Sequence, residues 1–190
     1  MCLWHIGGFS HALTSPFSGN ETQIVVKSLI LPQLGTAYTG LTSTGFNDFV
    51  SGSGAYTDTW YGFGPKMKLD VDKNFSIQRG GNEGGAASAT VAVSGVTNSN
   101  ANFSLVIDVA TGTADGYFGS PETGTLLIND FDLVGTSTLT AWKANLLAMD
   151  NIIVWGNQAI HDNLEVSAIP EPASLALLGL STVVLLRRRR

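Results

Sequence analysis

The stretch Asn102 to Val109, NFSLVIDV, constrains the fold more than any other. Phe103, Leu105, Ile107 and Val109 fall on alternate positions. In an extended strand those side chains share one face, whereas a helix would scatter them around its circumference. Thr111-Gly112-Thr113 then turns the chain, and Ala114 to Phe118 is expected to return as a partner strand. Similar segments recur along the chain. Thr22 to Leu31 is β-branched and apolar and is stopped by Pro32. Ala55 to Phe63 is aromatic-rich and ends at Gly62, Gly64 and Pro65. Lys66 to Val71 alternates charged with apolar residues, and Phe75 and Ile77 continue the alternation. Ala87 to Val93 places Ala87, Ala89, Val91 and Val93 on one face.

Further strands are expected at Gly124 to Ile128, Phe131 to Val134, Thr138 to Trp142, Asn151 to Trp155 and Ile160 to Ser167. Ala141 to Met149 holds good helix formers and reads as one short helix or a loop. Ten or so short strands with turn signals between them indicate a β-sandwich or barrel. No strand–helix–strand alternation occurs, which argues against a parallel α/β sheet. The expected fold class is all-β, an antiparallel β-sandwich over residues 1–168, followed by a C-terminal hydrophobic helix over 173–186.

Charge excludes one class of partner. Of ten basic residues, four are Arg187, Arg188, Arg189 and Arg190; the other six face 15 acidic residues. That excess of negative charge repels phosphate backbones, so no nucleic acid is expected as partner. Charged residues form 13% of the chain, against about 25% in average domains. Gly, Ser, Thr and Asn take their place and favour turns and strands. The lone Cys2 permits no internal disulfide. Met1 to Asn20 carries neither a basic region nor a continuous apolar run, so an export leader is expected upstream of Met1.

Candidate chemistry in the body is sparse, and no catalytic residue, metal site or cofactor is assigned. Asp70-x-Asp72-x-Asn74 begins like a calcium loop, but Phe75 and Gly81 stand where Gly and Glu are required. Its alternation with Leu69, Val71 and Phe75 reads instead as a solvated strand face. Asp130-x-Asp132 is a candidate carboxylate pair for glycoside hydrolysis, but no Glu-x-Asp-x-Glu strand of the jelly-roll glucanase type is present. His5, His11 and His161 lack metal-ligand spacing. No Gly-x-Ser-x-Gly elbow occurs, and Gly80 to Gly85 reads as a flexible loop without the Gly-Lys-Ser/Thr ending of a phosphate loop. Trp60, Tyr61, Trp142 and Trp155 are candidates for stacking on sugars, although aromatic residues in a sandwich are usually core. The body is therefore expected not to be an enzyme.

The last 22 residues differ in kind. Pro170 and Pro172 lack backbone donors and keep Ile169 to Pro172 extended and accessible. Ala173 to Leu186 is uncharged; as a helix its 14 residues span about 21 Å, short of a hydrocarbon core of about 30 Å. Four terminal arginines place the C-terminus on the cytoplasmic side, which puts the body outside. A buried core helix would show a polar face, and a permanent anchor would be longer.

Two resemblances follow. Ile169-Pro170-Glu171-Pro172-Ala173-Ser174, the apolar run and Arg187 to Arg190 closely resemble the PEP-CTERM sorting signal of Gram-negative bacteria. Ile169 departs mildly from the usual Val. The resemblance implies recognition by exosortase, a membrane-embedded cysteine transpeptidase-like enzyme, with cleavage near Pro170, Glu171 and Pro172. It further implies loss of the tail and delivery to the cell surface or extracellular polysaccharide matrix. Separately, Asp150 to Gly156 and Ile160 to Val166, with the Phe103–Phe118 hairpin, resemble the closing strands and central hairpin of concanavalin A-like (laminin-G-like) jelly rolls. The expected function is a structural or adhesive surface protein. Exosortase is the expected partner, polysaccharide a further one, and the membrane is engaged only before processing. A lectin-like carbohydrate-binding module is the alternative, and a glycoside hydrolase a more distant one.

Overall fold

The computed structural model describes residues 3–15, 17–42, 63–80 and 87–170. The alternating stretch that constrained the sequence forms β7 (Asn102–Asp108), which returns as β8 (Thr113–Phe118). They pair antiparallel from Phe103 opposite Phe118 to Asp108 opposite Thr113. Local hydrogen bonds close this hairpin. The Asp108 carboxylate accepts from the Ala110 and Thr111 N–H groups, each at 2.8 Å. Gly112 turns the chain at φ 73°, a left-handed conformation that costs any residue with a Cβ.

The other strands are β1 (Leu3–Ala12), β2 (Glu21–Pro32), β3 (Thr36–Thr42), β4 (Phe63–Asp70), β5 (Asn74–Gln78), β6 (Val91–Ala92), β9 (Thr125–Asp132) and β10 (Asn151–Pro170). Their order is β6-β5-β4-β3-β10-β2-β7-β8-β9, with β1 also against β10. The 20-residue β10 organises this array. Its first residues, Asn151 to Gly156, lie between β3 and β1. From Ala159 onward it pairs with β2. Its register slips between Asp162 and Glu165, where Asn163 sits at φ 51°, a conformation Asn tolerates better than most residues. Bulges and bends of this kind let one strand serve two sheets. The result is an antiparallel two-sheet sandwich, with β6-β5-β4-β3 on one side of β10 and β2-β7-β8-β9 on the other.

The core lies between the sheets. Phe75 of β5 stacks on Phe103 of β7 at 5.2 Å between ring centroids, and Phe103 meets Phe118 at 5.3 Å. A Cβ on Gly116 would lie 2.5 Å from the Phe75 ring, so close approach of β8 to β5 requires glycine. Arg79 bonds Asp132 at 2.9 Å and lies over Phe131 at 5.5 Å, tying the end of β5 to β9.

Several sequence expectations change. Thr138 to Trp142 is not a strand. Thr138 accepts from the Ala141 N–H at 3.2 Å and caps α1 (Leu139–Leu147). Trp142 and Leu146, one helical turn apart, are its buried residues. Gly124–Ile128 and Phe131–Val134 merge into β9 across Asp130, which adopts φ 51°. Asn151–Trp155 and Ile160–Ser167 merge into β10, because Gly156 and the residues after it continue the ladder. Within Ala87–Val93 only Val91–Ala92 pairs as a strand, with a bridge from Ala87 to Gln78. The run from Lys66 to Ile77 turns at Lys73, φ 63°. β1 arises where no strand was expected, because Gly7 and Gly8 interrupt its alternation. The expected strand over Ala55–Phe63, except for Phe63, and the apolar helix over 173–186 lie outside the described residues. Among the described residues, no helix is long and apolar enough to cross a membrane.

Candidate functional site

The end of β10 is where the body meets the tail. Beyond the bulge, Val166 pairs with Val26, Ala168 with Ile24 and Ile169 with Gln23. The Thr22 hydroxyl donates to the Ile169 carbonyl at 3.1 Å. Pro170 is partnered with Glu21 across a last irregularity. Having no N–H, it cannot extend the ladder as a donor. Both Ile169 and Pro170 are exposed. Pro170 therefore ends the strand with its side chain exposed and its backbone still opposite β2. Glu171, Pro172 and Arg187, Arg188, Arg189 and Arg190 lie outside the described residues.

A cavity of about 470 Å³ opens beside this strand end. Ile152, Leu164, Val166, Ala168 and Pro170 of β10 line it together with His11 to Ser15, Phe17, Ser18 and Glu21. Leu13, Phe17, Leu164 and Val166 also pack against the core, so the cavity is an open margin of the sandwich interior. Glu21 is 5% exposed. Burial pushes its carboxyl pKa up. The Ser18 N–H and hydroxyl, with the N–H groups of Glu21 itself and Gly19, outweigh that and leave it below the ordinary value. The Ser18 N–H and hydroxyl bond one carboxylate oxygen and the Gly19 N–H bonds the other, at 2.8 Å. This cradle holds a negative charge in place at the start of β2. The spacing Ser18-x-x-Glu21 is its sequence signal, the same one that closes helix N-termini, here used before a strand.

Of the remaining candidates, Asp70, Asp130, Asp132 and His161 have partners within the fold. The Asp70 carboxylate accepts from the Asn74 N–H at 2.9 Å and its side-chain amide at 3.0 Å. Asp70-x-Asp72-x-Asn74 thus shapes the β4–β5 turn rather than a flat strand face. Asp132 holds Arg79 and accepts from the Val134 N–H at 2.9 Å. Asp130 accepts from Asn129 at 2.6 Å. Among the described residues, no three His, Cys, Asp or Glu side chains converge to hold a metal ion. His11 lines the cavity rim, exposed, while His161 is 8% exposed with its Nδ1 3.3 Å from the Thr39 hydroxyl. Burial pulls the His161 imidazole down to about 4, against an upward pull from the Trp155 backbone. A group of that kind is neutral at pH 7 and sits buried where β10 packs beside β3.

Of the aromatics, Trp142 is buried under α1. Trp155 is half-buried and packs on Tyr38 at 4.8 Å. Tyr38 alternates with the fully buried Ala37, Thr39 and Leu41, which places the pair on the face of the sheet away from the core. Trp60 and Tyr61 lie outside the described residues, as does Gly81 to Gly85 of the glycine-rich loop. The cavity itself had no linear signal. It is assembled from the first 21 residues and the last strand, which only the pairing with β10 brings together.

Residues 168–190 match the PEP-CTERM protein-sorting motif. The motif implies an exported chain that is targeted to exosortase and processed while membrane-anchored. No curated protein sequence matches the chain. Among solved structures, the fold is similar to the exoplasmic/lumenal domain of VIP36 in its Ca2+/Man3GlcNAc-bound form. The TM-score is 0.51 at 14% identity, covering 89% of this chain and 78% of that one. It is also similar to CG-16, a homodimeric agglutinin from chicken liver (TM-score 0.43, 11% identity, 84% of this chain and 99% of that one). A tetrameric galectin from the ball sponge Cinachyrella sp. is a further likeness (TM-score 0.41, 12% identity, 85% and 98%). At these identities the likeness speaks to the lectin-like sandwich fold alone.

Proposed function

We propose that this chain is a non-catalytic surface or matrix protein of a Gram-negative bacterium, delivered there by exosortase. The observation that carries the reading is the sorting motif at residues 168–190, joined directly to the last strand of an acidic, uncharged-polar-rich sandwich. The apolar run over 173–186 and the four arginines hold the body on the outer side of the inner membrane. The enzyme's thiolate then attacks a carbonyl near Pro170, Glu171 and Pro172. The amide bond breaks, the tail leaves as a free amine, and the acyl group on the enzyme passes to water or an acceptor amine. The body remains outside as a structural or adhesive module. Its carboxylates support a non-catalytic role, since Asp130 and Asp132 are engaged in shaping β9 and the β5–β9 tie. Fusing residues 169–190 to an exported reporter tests the sorting step. Processing that disappears on deletion of the exosortase supports it, and unchanged processing refutes it.

The Tyr38–Trp155 pair favours a second reading, carbohydrate binding by the body. A half-buried pair of aromatic rings on the face away from the core suits stacking on a sugar face. The glycan named for the VIP36 domain makes mannose-type oligosaccharides a reasonable first probe. A glycan array with the purified processed protein decides it. Binding that Trp155→Ala abolishes supports the reading, and no binding at high protein concentration removes it.

A further inference from the structure

We infer that the folded body itself controls processing, by holding the leading residues of the sorting motif in its sheet. The inference rests on the exosortase reading above. Ile169 is paired with Gln23, its carbonyl is held by the Thr22 hydroxyl at 3.1 Å, and Pro170 is partnered with Glu21. Glu21 is fixed by Ser18 and Gly19, so the strand opposite cannot yield easily. Ala168, two residues before Pro170, lines the cavity with Val166 and is held by pairing to the buried Ile24.

An enzyme that cuts a peptide bond must engage chain on both sides of it. In a folded substrate it reaches only what local opening releases. Residues from Glu171 onward lead to the membrane, whereas Ile169 and Pro170 are claimed by β2. The end of β10 must therefore peel from β2 before the motif is engaged as a whole. The bulge at Asn163 limits that peeling to the last few residues, since the pairing from Glu165 onward is in a separate register from the pairing before Asp162. The exposed Ile169 loses little apolar burial when it leaves, so its backbone and Thr22 bonds set the opening. The body then acts as a brake on its own release, with strength set by a handful of hydrogen bonds.

The test uses the full chain behind a functional export leader, in a Cys2→Ser background, in exosortase-positive and exosortase-deleted cells. Gln23→Cys with Ile169→Cys places thiols on directly opposed residues, within reach of a disulfide in the oxidising periplasm. Pulse–chase reads the rate of tail loss. The expected result is processing slowed roughly fivefold or more in the cross-linked chain, with each single-cysteine chain near the wild-type rate. A cross-linked chain processed at the wild-type rate, in cells where wild-type processing depends on exosortase, overturns this inference alone. Wild-type tail loss that is absent or independent of exosortase overturns the functional reading and the inference with it. If the double variant fails to reach the periplasm folded, Thr22→Ala decides. Loss of one hydrogen bond is expected to speed processing about threefold, and an unchanged rate overturns the inference.

Discussion

The β7–β8 hairpin and β10 are built from similar residues, yet they are specified in different ways. The hairpin carries its instructions within 17 residues, Asn102 to Phe118. Alternation fixes its buried face, Asp108 folds back on the turn, and Gly112 supplies the left-handed residue. β10 has apolar residues but no local device that fixes its partners. Its course is set by three strands far away in sequence, β1, β2 and β3. Local chemistry thus builds the hairpin, while the junction of the two sheets depends on long-range pairing. The sorting motif starts on the second kind of element.

The largest expected effect tests the hairpin as anchor of the core. Phe103 is fully buried, stacks on Phe75 and meets Phe118 at a tilt, so Phe103→Ala is expected to cost about 3–5 kcal/mol in denaturant unfolding. A loss well below 1 kcal/mol would mean that the hairpin does not join the two sheets.

The crossing of β10 should respond to acid. The folded state holds His161 down to about 4, below its ordinary 6.5. The unfolded chain therefore binds this proton first, and the His161 contribution is fully present above about pH 6.5 and lost as pH falls toward 4. At about 1.4 kcal/mol per pH unit, the loss is on the order of 3 kcal/mol. Unfolding curves at pH 7, 5.5 and 4 read it directly. His161→Gln should flatten that dependence, and an undiminished slope in the variant would assign it to other groups.

A smaller effect probes the hairpin turn. Gly112→Ala places a Cβ at φ 73° and 2.3 Å from the Val134 side chain, and is expected to cost about 2 kcal/mol, split between strain and displacement. If stability is unchanged, the turn is less dependent on glycine than its geometry indicates. The smallest effect concerns the tie across the sheets. Arg79→Ala removes a partly exposed ion pair with Asp132, expected to be worth about 1 kcal/mol or less and to shrink in high salt. A loss of several kcal/mol would show that the β5–β9 tie holds the sandwich more than its core does.

The same contrast explains what could be read from the sequence. The all-β class, the Phe103–Phe118 hairpin, β2 and the sorting motif are all encoded in contiguous residues, and each was legible. Thr138 to Trp142 misled because Thr138 and Leu139 suit a strand as well as a helix start; the cap at Thr138 settles it only when Ala141 folds back. β10 read as two strands because Gly156 and the polar residues after it look like a turn when no partner is in view. β1 was invisible for the same reason. The Glu21 cradle had a usable spacing, Ser18-x-x-Glu21, but the cavity beside it joins residues more than a hundred positions apart, and no pattern along the chain announces it.

The central claim is that exosortase removes a tail whose motif begins on the last strand of this sandwich. The intact mass of the protein recovered from exosortase-positive and exosortase-deleted cells tests it most directly. The account predicts a body ending near Pro170, Glu171 and Pro172 in the first and the uncut chain in the second. A chain that keeps Arg187 to Arg190 in both, or loses them in both, would contradict it.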